Sequence, residues 1–310
     1  MPNVAIVGAG LIGRSWAVVF SRAGWDVRIT DTDSGALAKA HDLIHASLEE
    51  LSAYGLAADP SGAASRVAVT GSLATALEGA DLVQENGPED AEIKRRIFAD
   101  LDELAPEACI LASSTSAIVA SRFTEALPGR ARCLIAHPVN PPHLVPVVEL
   151  CGAPWTSAET IARARTLYES VGQVPIVVKR EVDGFVLNRL QGALLSEALR
   201  LAGDGVASPQ DIDKTVKHGL GLRWSFLGPF ETIELNAPGG IADYCGRYGG
   251  FYRRLSEDPA TPQAWDEEAI ARILQSWDRE PDPDELARRS SWRDGRLAAL
   301  IAHKRSQSEL

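Results

Sequence analysis

The chain has 310 residues, which exceeds most single-core domains and suits two domains that each bury a core of their own. It carries 31 Lys and Arg against 42 Asp and Glu, a formal net charge of -11 without a basic stripe, so neither nucleic acid nor an anionic membrane is an expected partner. No apolar run approaches the roughly 20 residues of a membrane span, and the start MPNVAIVGAG lacks the features of a leader, so we expect a cytoplasmic protein.

The first half of the chain alternates short Val-, Ile- and Leu-rich runs with longer amphipathic stretches. This rhythm is typical of βαβ units and predicts the α/β class, with a Rossmann-like, doubly wound and mainly parallel sheet. Because the runs are apolar on both alternations, helices are expected to cover both faces of the sheet. The predicted strands are residues 4–7, 27–30, 67–70, 82–85, 109–113, 134–137, 147–150 and 176–178.

The pattern then changes from alternating to helical. Residues 185–202 form one long helical pattern closed by the turn AGDG, and no comparable strand-like run follows. We therefore expect a second, all-helical domain, with the division at 1–181 and 182–310. The tail of the second domain is predicted to hold a Pro-rich surface connection, EPDPD at 280–284, and a charged helix over 286–304.

The four cysteines show no spacing that would hold a metal, and no metal site is expected. Three of them, Cys109, Cys133 and Cys151, lie in or beside strand-like runs, so they are interpreted as small buried residues. Disulfides are not implied by this pattern.

A glycine-rich turn, GAGLIG, directly follows the first predicted strand and opens a helical pattern. Its three glycines permit a tight turn, close approach of a pyrophosphate to the backbone, and packing of the helix on the strand. The second predicted strand ends at Asp31, 18 residues beyond Gly13, where a carboxylate would receive the ribose hydroxyls of a dinucleotide. Asp31 would repel a 2′-phosphate and no Arg follows it immediately, so NAD is favoured over NADP. The candidate cofactor residues are Gly8, Gly10, Leu11, Ile12, Gly13 and Asp31.

Polar side chains follow the fifth and sixth predicted strands, at the edge of the sheet where such folds bind their ligands. They are the Ser-rich turn 113–116 and His137, and Glu149 lies 12 residues beyond His137. Oxidation of an alcohol needs a base for the hydroxyl proton, and histidine ordinarily titrates nearest neutral pH. We interpret His137 as that base and Glu149 as the group that orients its imidazole. A structural histidine is the alternative, which the serine turn and the NAD motif disfavour.

Several motifs in order resemble the 3-hydroxyacyl-CoA dehydrogenase superfamily, and within it the lambda-crystallin branch, whose active member is an L-gulonate 3-dehydrogenase. The similarity covers nearly the whole chain. The motifs are GAGLIG at 8–13, PED at 88–90, SSTS at 113–116, HPVNPP at 137–142, VVEL at 147–150, VDGFVLNRL at 182–190 and GLGLRWSFLGPFET at 219–232.

The resemblance assigns roles to four residues by position. It implies that His137 is the catalytic base and Glu149 its charge partner. It further implies that Ser116 is the substrate-side serine and Asn188 the substrate-side asparagine. In this interpretation Asn188 reaches across from the helical domain, and the cleft between the domains is the reaction site.

Three more residues and an assembly state follow from the same resemblance. Glu85 and Lys94 match positions near the nicotinamide end of NAD, and Asn140 lies in the matching active-site loop. The helical domain of the family usually pairs, so the resemblance implies a homodimer.

Departures from the family pattern bear on the substrate. Acyl-CoA members usually have Asn where this chain has Ser114, and HFFNP where it has HPVNPP. Between the second and third predicted strands, Lys39 and Arg66 are the only basic residues, which gives little support for a CoA-phosphate site. Arg223 offers a planar charged group suited to a free carboxylate, with an ordinary surface salt bridge as the alternative.

These observations predict an NAD-dependent dehydrogenase of a small 3-hydroxy acid, with L-gulonate as the first candidate. L-Carnitine or 3-hydroxybutyrate is the second choice, and a 3-hydroxyacyl-CoA thioester the third. A crystallin-like structural NAD-binding protein is the alternative from a different class. The intact set of Ser116, His137, Glu149 and Asn188 argues against that alternative.

Overall fold

The computed structural model describes residues 1–277 and 282–308, and the first half of the chain forms one eight-stranded sheet. The strands are β1 (Asn3–Val7), β2 (Asp26–Thr30), β3 (Val67–Val69), β4 (Leu82–Glu85), β5 (Ile110–Ser113), β6 (Cys133–Pro138), β7 (Val147–Gly152) and β8 (Val174–Val178). Their order across the sheet is β3-β2-β1-β4-β5-β6-β7-β8. All neighbours are parallel except β6 and β7, which are antiparallel. The predicted Rossmann-like, mainly parallel sheet is confirmed.

Helices make up most of the remaining described chain. They are α1 (Leu11–Arg22), α2 (Ser34–Ser52), α3 (Pro60–Ser65), α4 (Leu73–Leu77), α5 (Ala91–Leu104), α6 (Ser121–Thr124), α7 (Ala158–Ser170), α8 (Leu187–Gly203), α9 (Pro209–Thr215), α10 (Gly221–Trp224), α11 (Pro229–Leu235), α12 (Gly240–Ser256), α13 (Glu267–Trp277) and α14 (Pro283–Arg305). Short 3₁₀ turns occupy Arg130–Arg132 and Pro262–Trp265, and a π-helical turn occupies Val216–Leu220. Across the described ranges, no helix combines the length and apolar character that a membrane crossing requires.

The sheet is buried on both faces because its strands are apolar at consecutive positions. Val4 and Ile6 of β1 face one core cluster, which also contains Trp16 of α1, whereas Ala5 faces a second cluster around Phe98 of α5. Successive side chains of a strand point to opposite faces, so a run without alternation needs cover on both sides. The two clusters supply that cover, and the carboxyl ends of β1, β4, β5 and β6 are left at one edge of the sheet.

The chain divides into two compact units. One contains residues 1–188 together with the segment that begins at Pro283, and the other is Arg189–Asp282. The prediction that 182–310 form one helical domain was therefore wrong for the last helix. In α14, Ala298 is buried, and Leu297 and Ile301 pack against the first core cluster. Hydrophobic burial thus joins α14 to the sheet-containing unit.

The second unit is helical, as expected. Among the described residues no strand follows β8, and the unit contains α9 to α13 with most of α8. The predicted Pro-rich connection at 280–284 lies partly outside the described residues, since residues 280 and 281 are not among them.

Candidate active site

The glycine turn after β1 is shaped by the packing of the protein itself. Gly8 has a φ of 102°, and a Cβ atom there would lie 2.8 Å from the carbonyl oxygen of Asn86. A Cβ atom on Gly13 would lie 1.8 Å from the carbonyl oxygen of Gly8, so the first and third glycines admit no side chain. Around Gly10, no heavy atom of the described chain lies within 4 Å of the Cβ position. Open space above the second glycine, at a helix start without a side-chain cap, fits a pyrophosphate.

Asp31 lies beside this turn at the carboxyl end of β2. Its Oδ2 accepts a hydrogen bond from the backbone N–H of Ala9 at 2.6 Å, and its Oδ1 accepts one from Asp33 at 2.8 Å. Leu11, at the first position of α1, is 58% exposed, and Ile12 packs against the first core cluster. The predicted cofactor residues are thus brought together, and their arrangement fits a dinucleotide.

Glu85 and Lys94 form a buried ion pair at the end of β4. The Lys94 Nζ lies 3.0 and 2.9 Å from the two carboxylate oxygens of Glu85, and both side chains are buried. The carboxylate also accepts hydrogen bonds from the Ser113 hydroxyl and, at 2.6 Å, from the backbone N–H of Gly87. Each of the two buried charges has a partner within the protein. Because the Glu85 carboxylate also binds the backbone of Gly87, the ion pair helps to hold the turn after β4 in place.

His137 and Glu149 are direct neighbours across the antiparallel pair β6 and β7. The sheet register aligns their Cα atoms, and the His137 Nδ1 lies 2.8 Å from the Glu149 Oε2. Both side chains are buried, and the His137 ring packs against Phe185 with 5.5 Å between ring centroids. The reversal of strand direction between β6 and β7 therefore brings together two residues that are 12 positions apart.

The second oxygen of Glu149 anchors the start of α8. Its Oε1 accepts hydrogen bonds from the backbone N–H groups of Val186 at 2.8 Å and Leu187 at 3.0 Å. Gly184 and Phe185 precede them with φ angles of 78° and 48°, which turn the chain sharply into the helix. A positive φ is costly for Phe185, and its fully buried ring shows that packing holds it there.

The carboxyl group of Glu149 has a shifted pKa. Burial alone raises its pKa, but hydrogen bonds from His137, Leu187 and Val186 outweigh burial, and the pKa lies below its ordinary value. An ionised Glu149 only accepts hydrogen bonds, so it keeps a proton on the His137 Nδ1. The Nε2 of a neutral imidazole is then free to take up a proton.

The serine turn after β5 is held by a carboxylate that sequence reasoning missed. The Oε1 of Glu89 accepts hydrogen bonds from the Thr115 hydroxyl and from the backbone N–H groups of Ser116 at 3.0 Å and Ala117 at 2.9 Å. The Nδ2 of Asn188 donates to the carbonyl oxygen of Ser116 at 3.0 Å. In the sequence, Glu89 stands out only as part of PED, a motif that by itself assigns no role.

Asn188 lies in the first turn of α8, directly before the division between the two units. Its contact with Ser116 falls within the sheet-containing unit, and its role as the substrate-side asparagine stays a prediction. Asn140 is exposed in the loop after β6, at a cis peptide bond to Pro141. Arg223 is exposed on α10 in the other unit, and its substrate contact stays a prediction.

The loop that follows HPVNPP lines a cavity of about 510 Å³ with His143 and Leu144, together with parts of α1, α2 and α14. The carbonyl oxygen of His143 in this loop accepts a hydrogen bond from the Arg22 guanidinium at 2.8 Å. Burial, aided by the charge of Arg22 and opposed by Asp294, lowers the pKa of His143 to about 4. His143 is therefore neutral at physiological pH, and a second titrating base is absent from this loop segment.

Comparisons with known proteins cover nearly the whole chain. The NAD binding domain model of 3-hydroxyacyl-CoA dehydrogenase matches residues 3–182, and the C-terminal domain model matches residues 184–272. The chain is 39% identical over 303 residues to a lambda-crystallin homolog of Rattus norvegicus, covering 96% of this chain and 95% of the relative. It is 35% identical over 300 residues to an L-carnitine dehydrogenase of Streptomyces coelicolor, covering 96% and 93%. A solved FHMPC 5-dehydrogenase, an NAD⁺-dependent dismutase, is similar at a TM-score of 0.86 and 28% identity, covering 99% of this chain and 100% of that one.

Proposed function

The chain belongs to the 3-hydroxyacyl-CoA dehydrogenase family and is an NAD-dependent oxidoreductase, and from this we propose that it oxidises the 3-hydroxyl group of a small 3-hydroxy acid. The observation that carries the proposal is the buried pair in which Glu149 fixes the Nδ1 of His137 at 2.8 Å. L-Gulonate is the first candidate substrate, because the resemblance to the lambda-crystallin branch implies it.

We assign the proton transfer to His137. NAD supplies the hydride acceptor when it is bound. The substrate hydroxyl gives its proton to the His137 Nε2 while the hydride leaves the same carbon, so the hydroxyl becomes a carbonyl and the imidazole becomes positively charged. Glu149, 2.8 Å from the Nδ1, stabilises that charge. Ser116 and Asn188, which are hydrogen-bonded to each other, are proposed to hold the reacting oxygen.

Two observations favour a free acid over a CoA thioester as the substrate. Few basic residues lie between β2 and β3, where a CoA phosphate would need them, and Arg223 can bind a carboxylate. Lys39 and Arg66 are the only Lys or Arg residues between β2 and β3, and the Arg66 guanidinium donates one hydrogen bond to the carbonyl oxygen of Gly62 at 2.7 Å, so this segment offers few groups for a CoA phosphate. Arg223 is the proposed partner of a substrate carboxylate, since its planar guanidinium can form two parallel hydrogen bonds with it.

L-Carnitine is the second candidate, favoured by the similarity to an L-carnitine dehydrogenase. A quaternary ammonium group binds to aromatic faces. The second unit carries such faces on α12, where Tyr244 and Tyr248 have ring centroids 4.8 Å apart and Tyr244 and Tyr252 have hydroxyl oxygens 3.0 Å apart. This cluster gives the L-carnitine proposal a physical basis within its own unit.

The test is NAD reduction at mildly alkaline pH with four substrates. They are L-gulonate, L-carnitine, L-3-hydroxybutyrate and L-3-hydroxybutyryl-CoA, compared by kcat/KM. We expect one of the free acids to have the highest kcat/KM and the CoA ester to have a low one. Arg223→Ala is expected to raise KM for that acid. A CoA ester that is better by orders of magnitude contradicts the proposal. NAD binding without turnover of any substrate favours the crystallin-like structural protein.

We also propose a homodimer and a cytoplasmic location. The helices α8 and α12, both fully described, contain no buried residue, and they expose apolar side chains such as Leu190 at 62% and Phe251 at 48%. Such exposed apolar surface is typical of an interface. Sedimentation that finds a monomer at working concentration contradicts the dimer, and cell fractionation tests the location.

A further inference from the structure

The hydroxyl group of a half-buried serine joins three structural elements near the glycine turn. Ser114 directly follows β5, and its Oγ accepts hydrogen bonds from the Trp16 Nε1 of α1 at 3.1 Å and from the Gln84 Nε2 of β4 at 2.7 Å. The same hydroxyl donates to the Oδ1 of Asn86 at 2.7 Å. One donated and two accepted bonds use the full capacity of a hydroxyl group. Ser114 therefore has a single hydrogen-bonding arrangement at this site.

The partners of Ser114 are themselves fixed by other groups. The Tyr168 hydroxyl donates to the Oε1 of Gln84, so the Nε2 of that amide points to Ser114. Trp16 and Tyr168 are fully buried and pack with 5.5 Å between ring centroids. The Nδ2 of Asn86 donates to the carbonyl oxygen of Gln84 at 2.8 Å, which orients the Asn86 amide. Every member of the network thus supports one position of the Asn86 side chain.

Asn86 lies directly against the glycine turn. Its backbone N–H donates to the carbonyl oxygen of Val7 at 2.7 Å and continues the pairing of β1 with β4 by one residue. Its carbonyl oxygen is the atom nearest to the Cβ position of Gly8, at 2.8 Å. Because Gly8 begins the turn over which the dinucleotide binds, a displacement of Asn86 also displaces that turn.

We propose that Ser114 is a positioning residue for NAD. Its hydroxyl holds Asn86 against Gly8 and so keeps the glycine turn in the geometry that accepts the pyrophosphate. Replacement by Ala removes the acceptor of the Trp16 Nε1–H and one of the two acceptors of the Gln84 amide. It also removes the donor to the Asn86 Oδ1, so the Asn86 side chain is held only through its Nδ2. The proposal depends on NAD binding and is independent of the identity of the substrate.

The test is the affinity for NAD, measured by calorimetric titration of the folded protein without substrate. We expect Ser114→Ala to weaken NAD binding by about tenfold, the effect of one lost hydrogen bond in a fixed network. The matched control is Ser21→Ala, which removes a buried hydroxyl from the same unit. Within the described part of the chain the Ser21 hydroxyl has no hydrogen-bonding partner. The NAD affinity of Ser21→Ala is therefore expected to equal that of the wild type.

A second variant, Asn86→Ala, keeps the proposal testable if Ser114→Ala fails to fold. Asn86→Ala is expected to weaken NAD binding by a similar factor. Because both substitutions remove the same contact, the double variant should bind NAD as tightly as the weaker-binding single variant. Turnover at saturating NAD should stay near that of the wild type, with the loss confined to KM for NAD. Wild-type NAD affinity in the folded variants, with only a lower melting temperature, would overturn the proposal.

Discussion

Replacement of Glu149 by Gln keeps the shape of the side chain and removes its charge. The carboxylate accepts three hydrogen bonds, from the His137 Nδ1 and from the backbone N–H groups of Val186 and Leu187. An amide has one oxygen for these three donors, so either the imidazole or the start of α8 loses its acceptor. A hydrogen bond to a charged group contributes about 1.5–3 kcal/mol, and 1.36 kcal/mol corresponds to tenfold in rate, so kcat should fall by about 10- to 100-fold.

The assay is kcat for Glu149→Gln at saturating NAD and substrate, together with calorimetric NAD affinity. NAD affinity is expected to stay unchanged, because Glu149 contacts β6 and α8 rather than the glycine turn. Glu181→Gln is the matched control, since the Glu181 carboxylate accepts a backbone N–H bond from Ser121 at 2.8 Å. A Glu149→Gln enzyme within twofold of the wild type would refute the role given to this carboxylate.

Three further predictions concern the catalytic base, the glycine turn and His143. The oxidation rate falls as the pH is lowered, because the base that takes the hydroxyl proton must start unprotonated; a pH-rate profile that stays flat to strongly acid pH, with chemistry limiting, contradicts this. Gly10→Ala folds normally but binds NAD more weakly, whereas Gly13→Ala loses stability because its Cβ would lie 1.8 Å from the Gly8 carbonyl oxygen; thermal unfolding and NAD titration distinguish the two. The pKa of about 4 for His143 lies below the ordinary value of about 6.5, so the unfolded state binds the proton first. Its contribution to stability is present above pH 6.5 and is lost as the pH falls toward 4, by about 3 kcal/mol; urea unfolding at pH 7 and pH 4.5 should show this loss for the wild type and a smaller one for His143→Gln.

The strands could be predicted from the sequence because each is a short apolar run bounded by polar residues. The pairing of His137 with Glu149 was expected from the resemblance, whereas the antiparallel register of β6 and β7 that aligns them was not predicted. The role of Glu89 could not be predicted, because its three donors lie 26 to 28 residues away and local pattern carries no signal of that contact. Long-range hydrogen bonds of exposed carboxylates leave no periodicity in a sequence.

The placement of α14 illustrates a different limit. The helix is largely charged, and its apolar side chains at Leu297, Ala298 and Ile301 form a narrow stripe. Such a stripe predicts that one face of the helix is covered by another part of the protein. The amphipathic pattern does not identify which element covers it. The start of α8 shows a related limit, since no local pattern indicates that Glu149 accepts hydrogen bonds from the backbone N–H groups of Val186 and Leu187.

The most direct test of the proposed chemistry is the turnover of His137→Ala with the free acid that the wild type oxidises best, measured as NAD reduction at saturating NAD with NAD affinity determined in parallel. If His137 is the base, kcat falls by about 100- to 10,000-fold while NAD affinity stays that of the wild type. Turnover within tenfold of the wild type would show that another group takes the hydroxyl proton, and the assignment of the buried His137–Glu149 pair as the catalytic centre would be wrong.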